Sequence, residues 1–407
     1  VRRFHPICLV FALLLLSGCG APRTEPPGWD WEVLAPPVGA GSALPHLATA
    51  PDGSVLLSWV EPDDAGGHRL RWARWQGEGW TPARTIAAGD DWFVNWADFP
   101  AIAAREDGAL VAHYLQKNGP SPYAYDVRVT QSADGVRWRP AVTPHTDGTQ
   151  TEHGFVSIVP WTADRVLLTW LDGRHTLGGG HEAHGERGAM TIRAALLDAD
   201  GRLHEEAVLD ARTCDCCQTA AVRTPSGAVV AYRDRSETEV RDISVVRYHD
   251  GRWSEPVPVH RDGWQIAGCP VNGPALDAAG EAVVLAWFTA AGDVPHVRVA
   301  FSADEGERWS PPVDVDEGAP LGRVDVVRLP DGSAVVSWME QVDGRAEIRL
   351  RRVAPDGTPS PSQAVATTAA ARSSGFPRLA RTETHLFVAW TEAGEAPVVR
   401  VMRAALR

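Results

Sequence analysis

The chain has 407 residues, with 39 lysines and arginines against 52 aspartates and glutamates, for a formal net charge of −13. That balance excludes a non-specific nucleic-acid binder, which needs a basic face to displace counterions from phosphate, and it excludes docking on anionic lipid by charge. With 44% hydrophobic residues the chain can bury a core, and 38 Gly, 31 Pro and 17 Trp beside a single lysine, Lys117, point to a turn-dense β protein.

At the N-terminus Arg2 and Arg3 precede an apolar run from Ile7 to Leu16, which is too short for a membrane span of roughly 20 residues. The run ends in Leu16-Ser17-Gly18-Cys19. This string resembles the lipobox of bacterial lipoproteins. The resemblance implies a signal peptide over 1–18, a lipid on Cys19 and residence in the bacterial cell envelope. Gly20 rather than Asp follows the cysteine, which in a Gram-negative cell implies the outer membrane. An ordinary secretory signal with a chance cysteine is the alternative. Residues 19–28, with three prolines, read as a flexible tether. The membrane, through the lipid, is the first expected partner.

From residue 29 one pattern repeats. Val55-Leu56-Leu57-Ser58-Trp59 is a short β run closed by a small and then an aromatic residue. Equivalent runs end at His113, Trp170, Tyr232, Trp287, Trp338 and Trp390, at spacings of 54, 57, 62, 55, 51 and 52. A turn such as Pro51-Asp52-Gly53 precedes each run, and an alternating strand and a Trp-led strand follow. A period near 55 with four short strands per unit predicts an all-β propeller over 29–407. Seven blades are expected, with six plus an irregular sheet as the alternative. The seventh runs out at Arg407 with room for three strands, so Trp31-Glu32-Val33-Leu34 is expected to close it and remove the open edge.

Two turns carry a more specific pattern. Ser302-Ala303-Asp304-Glu305-Gly306-Glu307-Arg308-Trp309 fits Ser-x-Asp-x-Gly-x-x-Trp, and Ser132-Ala133-Asp134-Gly135-Val136-Arg137-Trp138 fits it with one residue missing. These resemble the Asp-box, or bacterial neuraminidase repeat, of sialidase-like propellers. The implied roles are structural: Asp134 and Asp304 fold onto turn amides beside Ser132 and Ser302, Gly135 and Gly306 take a conformation a Cβ would forbid, and Trp138 and Trp309 pack between blades. The resemblance also implies that ligands bind on the face opposite these turns. No Phe-Arg-Ile-Pro string occurs, and no arginine triad can be carried over residue by residue.

On that opposite face the chemistry concentrates in blades two to five. Asp98, Glu152 and Asp234 are the candidate catalytic carboxylates. Trp96, His153, Arg174, Arg233, Arg235 and Arg241 are candidate ligand contacts, with Trp92 and Trp264 as further stacking surfaces. The insertion after Trp170 carries His175, His181 and His184 among glycines. Four cysteines remain beyond Cys8 and Cys19, and they fall in two successive loops: Cys214, Cys216 and Cys217, then Cys269. They read either as two disulfides, most simply with one of the trio joined to Cys269, or as a soft-metal site for Cu(I) or Zn(II) flanked by His153. The separation is close to one repeat, so the two loops are expected to meet near the channel mouth.

Three functions fit these residues. The first is an envelope-anchored monomer that binds a glycan, peptide or small anionic ligand on its loop face, with no nucleic acid and no certain cofactor. The second is a glycoside hydrolase of sialidase-like type with a rearranged site. The third is a soft-metal or redox lipoprotein built on the cysteines.

Overall fold

The computed structural model describes residues 28–176 and 188–406, together with Val1. The expected signal peptide, Cys19, most of the tether, and His181 and His184 lie outside the described residues.

Seven antiparallel sheets form the molecule, one per repeat. Blade one holds Ala43–Thr49, Val55–Pro62, His68–Gln76 and Gly79–Trp80, with Arg84–Gly89 also on its third strand. Blade two holds Ile102–Ala104, Leu110–Lys117 and Tyr125–Ser132. Blade three holds His153–Thr162, Arg165–Asp172, Met190–Asp198 and Leu203–Thr213. Blade four holds Ala220–Thr224, Gly227–Arg233, Ile243–His249 and Arg252–Trp253. Blade five holds Ala275–Ala279, Ala282–Thr289, His296–Ser302 and Val313–Asp314. Blade six holds Pro320–Arg328, Ala334–Val342, Arg345–Val353 and Gln363–Thr368. Blade seven holds Arg378–Arg381, His385–Glu392 and Val398–Ala405, completed by Trp31–Leu34 on the outer edge.

The second strand of each blade is packed on both faces, which is why it reads as a continuous apolar run rather than an alternating one. Its aromatic end is buried, and the indole N–H then needs an acceptor. A carboxylate two residues on supplies it in three blades: Trp59 donates to Glu61 at 2.9 Å, Trp170 to Asp172 at 2.9 Å and Trp338 to Glu340 at 2.6 Å. Seven apolar clusters fill the seven blade interfaces, and the one joining blades one and seven contains Leu34, Leu47, Trp59, Phe387 and Val401. The N-terminal strand pairs antiparallel with the last strand, Trp31 against Ala404 and Glu32 against Arg403. Just ahead of it, Trp29 exchanges two 2.9 Å bonds with the Gln363 side chain.

Blade two departs from four full strands. Its outer position is one bridge, where Val129 and Val142 exchange two N–H···O bonds of 2.8 Å.

The two special turns have the expected geometry. Asp134 Oδ1 accepts the Val136 and Arg137 N–H groups at 2.9 and 2.8 Å. Gly135 N–H reaches Ser132 Oγ at 2.9 Å, and Gly306 N–H reaches Ser302 Oγ at 2.9 Å. Gly135 has φ of 65°, and a Cβ there would lie 2.4 Å from Trp72 of blade one. Trp138 packs on the cluster between blades one and two, and Trp309 on that between blades four and five. Strand direction puts these turns on one face, the turn face. Loops entering first strands and leaving second strands lie on the other, the loop face.

Candidate functional site

The loop between blades three and four brings three sulfurs together. Cys214 Sγ lies 3.4 Å from Cys217 Sγ and 3.9 Å from Cys216 Sγ, and all three residues are buried. Cys269, from the loop one repeat later, hydrogen-bonds to the Cys216 thiol and packs on the same apolar cluster, which includes Phe155 and Phe376 at the channel mouth. No disulfide joins the four. Arg241 Nη1 donates to Cys214 Sγ at 3.2 Å while its other nitrogens hold Glu239. Burial raises the Cys214 thiol, but hydrogen bonds from Cys216 and Cys217 and the Arg241 charge outweigh it and hold the group well below the usual thiol range. Cys216 and Cys217 are pushed up, chiefly by burial. Cys214 is therefore the most acidic of the three thiols.

The arginines beside the thiols are committed. Arg233 is buried and spends its donors on backbone carbonyls: Asn272 at 2.9 and 2.7 Å, Arg241 at 2.6 Å and Phe288 at 2.7 Å. It staples blade four to blade five rather than waiting for an anion, which corrects the ligand-contact expectation. Arg235 pairs with Glu239 at 2.7 Å and Asp215 at 3.3 Å. Arg174 grips Asp172 with two bonds of 2.7 Å.

Two of the three carboxylates meet through a tyrosine. Tyr125 Oη lies 2.9 Å from Asp98 Oδ2 and 2.8 Å from Glu152 Oε1, and all three residues are buried. One hydroxyl proton cannot serve two carboxylates, so one of the acids must carry a proton and donate to Tyr125. Asp98 is pushed up to about 8, chiefly by burial, and fits that role; its Oδ1 accepts the Phe155 N–H at 2.8 Å. Asp234 stands apart, accepting from the Arg235 N–H at 2.6 Å and from Ser244 Oγ at 3.1 Å. Burial raises it as well.

The aromatic surfaces are also occupied. Trp92 is buried and stacks on Tyr114 at 4.6 Å, and Trp264 is buried between Phe288 at 5.6 Å and Arg233 at 4.8 Å. Both are packing residues, a correction to their reading as stacking platforms. Trp96 is half-buried, stacked on Phe376 at 5.8 Å under Arg323 at 4.8 Å. Gln218 bridges the channel mouth, donating to the Ala97 carbonyl at 2.6 Å and accepting the Gly273 N–H at 2.9 Å. The channel cavity beneath has a volume of about 150 Å³ and takes His46, Ser157, Thr219, Pro274, Asp325 and Arg378 from different blades. His175 is exposed at the start of the blade-three insertion.

Residues that the sequence did not single out join His153. The His145 ring stacks on it, and Asp147, Asp126 and Asp172 lie within ion-pair distance of one or both rings. Asp172 had a usable signal, since an acid two residues past the aromatic end recurs at Glu61 and Glu340. The others come from segments with no shared motif.

No family model matches the chain, and no curated protein sequence matches it. Among solved structures it is similar to a protein of unknown function from Dyadobacter fermentans, with a TM-score of 0.53 and 16% identity over 93% of this chain and 98% of that one. It is similar to the polysaccharide lyase Uly1, with a TM-score of 0.53 and 8% identity over 89% of this chain and 90% of that one. The NanB sialidase from Streptococcus pneumoniae overlaps more loosely, with a TM-score of 0.44 and 11% identity over 89% of this chain and 68% of that one. At these identities the likeness is one of fold.

Proposed function

We propose that the chain is a lipid-anchored envelope propeller whose loop face binds a thiophilic metal ion, Cu(I) or Zn(II), through Cys214, Cys216 and Cys217. The observation that carries this reading is the sulfur geometry. A metal about 2.3 Å from each sulfur in a tetrahedral site sets the sulfurs about 3.8 Å apart, and the measured separations from Cys214 are 3.4 and 3.9 Å. Thiolate donors favour these two ions over harder ones. Arg241 offsets part of the negative charge that three thiolates would gather. Binding displaces the protons of Cys216 and Cys217, so affinity rises with pH.

The glycan and glycosidase readings have less support. Arg233, Trp92 and Trp264 are spent on packing, and Asp98 and Glu152 are tied to Tyr125.

Native mass spectrometry with metal analysis and thiol titration tests the proposal on protein matured in the envelope. Copper or zinc that is released when the thiols are blocked, with the trio otherwise reduced, is expected. Two disulfides and no metal would overturn it.

A further inference from the structure

A second set of ligand atoms lies on the loop face between blades two and three, and it contains no sulfur. His153 opens the first strand of blade three and is fully buried. Its Nδ1 lies 3.2 Å from the Thr151 carbonyl oxygen. A ring nitrogen on a carbonyl must carry the proton, so Nε2 keeps a lone pair in the neutral imidazole. Nε2 lies 3.2 Å from Asp147 Oδ2 and 3.7 Å from Asp172 Oδ1. Both His153 Nε2 and Asp147 Oδ2 are buried and have no hydrogen-bond partner. With Nε2 unprotonated, two acceptors close together away from water repel and each costs free energy, which a proton or a metal ion between them relieves.

The surroundings fix these atoms in place. Thr149 N–H donates to Asp147 Oδ1 at 2.9 Å, which leaves Oδ2 turned toward the imidazole. The Arg174 clamp holds the Asp172 carboxylate, while Arg174 comes no closer than 3.5 Å to Asp147 Oδ2. The His145 ring stacks on His153 with centroids 3.7 Å apart and planes 6° from parallel. His145 Nε2 accepts the Val127 N–H at 3.3 Å. An Nε2 that accepts a backbone N–H carries a lone pair, so this ring is a neutral spacer rather than a competing cation.

We propose that His153 Nε2, Asp147 Oδ2 and Asp172 Oδ1 bind a divalent transition-metal ion of the zinc class at a site separate from the thiols. One ligand atom from each of the three residues lies within 4.8 Å of the other two. An ion about 2.0–2.2 Å from each donor places neighbouring donors roughly 3–3.6 Å apart, and 3.2 and 3.7 Å are found. Imidazole with carboxylate suits zinc, nickel or iron(II) rather than Cu(I). The Thr151 carbonyl supplies the outer support that metal-bound imidazoles characteristically have. The proposal rests on different atoms from the thiol reading and is independent of it.

Cobalt(II) titration of the chelator-stripped mature protein separates the two sites. Cobalt on the thiols gives an intense sulfur-to-metal charge-transfer band, whereas cobalt on His153 and the carboxylates gives only weak visible bands. One equivalent that adds weak bands alone is expected. Asp147→Asn and His153→Gln should each weaken it at least about tenfold and leave the charge-transfer band unchanged. Asp147→Asn keeps an acceptor for Thr149, and a wild-type melting temperature for that variant separates loss of a ligand from loss of the fold. A titration that ends at the thiol-bound equivalent, or an Asp147→Asn variant that binds like wild type, overturns the proposal. Weak bands without charge transfer would instead remove the thiol reading and leave this one standing.

Discussion

Glu32 and Arg403 stand opposite each other where the first strand of the chain meets the last, and Arg403 Nε donates to Glu32 Oε2 at 2.6 Å across 371 residues. The pair marks the closure of the ring, but it is half out of water at best: the Glu32 side chain is 58% exposed. Such pairs contribute about 1 kcal/mol or less. The same strand buries Leu34 between blades one and seven.

Closure should therefore depend on Leu34 rather than on the ion pair. Leu34→Ala is expected to lower stability by about 2–4 kcal/mol, and Glu32→Ala by no more than about 1 kcal/mol, in urea unfolding. Equal losses would show that the charge pair holds the ring.

Asp98 should make the protein less stable as pH rises. Its folded-state value of about 8 stands above the roughly 3.9 of an unfolded chain. Between those values the folded protein keeps a proton that the unfolded chain has lost, so this group's contribution is present at low pH and lost as pH rises through 8. The slope is at most about 1.4 kcal/mol per pH unit. Asn at this position can still accept from Phe155 and donate to Tyr125, so Asp98→Asn should gain on wild type steadily from pH 4 to 8. Parallel stability curves for the two proteins would refute the assignment.

Arg241 should govern the thiolate. Replacing it in Arg241→Gln removes a charge and a donor from Cys214, which raises that thiol toward its ordinary value. In metal-free protein the thiolate absorbance should appear at higher pH than in wild type, and a chelator should win the metal more readily at neutral pH. An unchanged thiolate titration would mean that Cys216 and Cys217 alone hold Cys214 ionised.

The proposed anchor should be separable from the fold. Cys19→Ala should move the protein from the membrane fraction to the soluble one with its melting temperature unchanged, because the propeller begins only near Trp29. A variant that stays in the membrane fraction would refute lipidation at Cys19.

The propeller was legible because strands packed on both faces leave unbroken apolar runs, and seven such runs at a near-constant period admit few other folds. The thiol group was legible for the same reason, since a spacing of one repeat maps Cys217 and Cys269 onto equivalent loops. What sequence could not convey was how loops fold over one another. Arg233 sits at a strand end that reads as rim, yet the Asn272 and Phe288 carbonyls of the next blade enclose it. Trp92 and Trp264 lie in loops and are nonetheless core. Asp172 meets His153 as its register partner in blade three, whereas His145 and Asp147 fold back onto that ring from the loop entering the blade, which no local motif encodes.

The bonds between Trp29 and Gln363 have a geometric consequence for orientation. Gln363 begins the outer strand of blade six on the turn face, so Gly28 and Trp29 lie on that side. If Cys19 carries the proposed lipid, the nine steps from Cys19 to Gly28 reach at most about 30 Å when fully extended. A leash of that length, fastened beneath the propeller, would hold the turn face toward the bilayer and present both ligand sets to the aqueous compartment. Metal would then arrive from solution or from a soluble carrier, and the lipid surface would act as a floor rather than as a source.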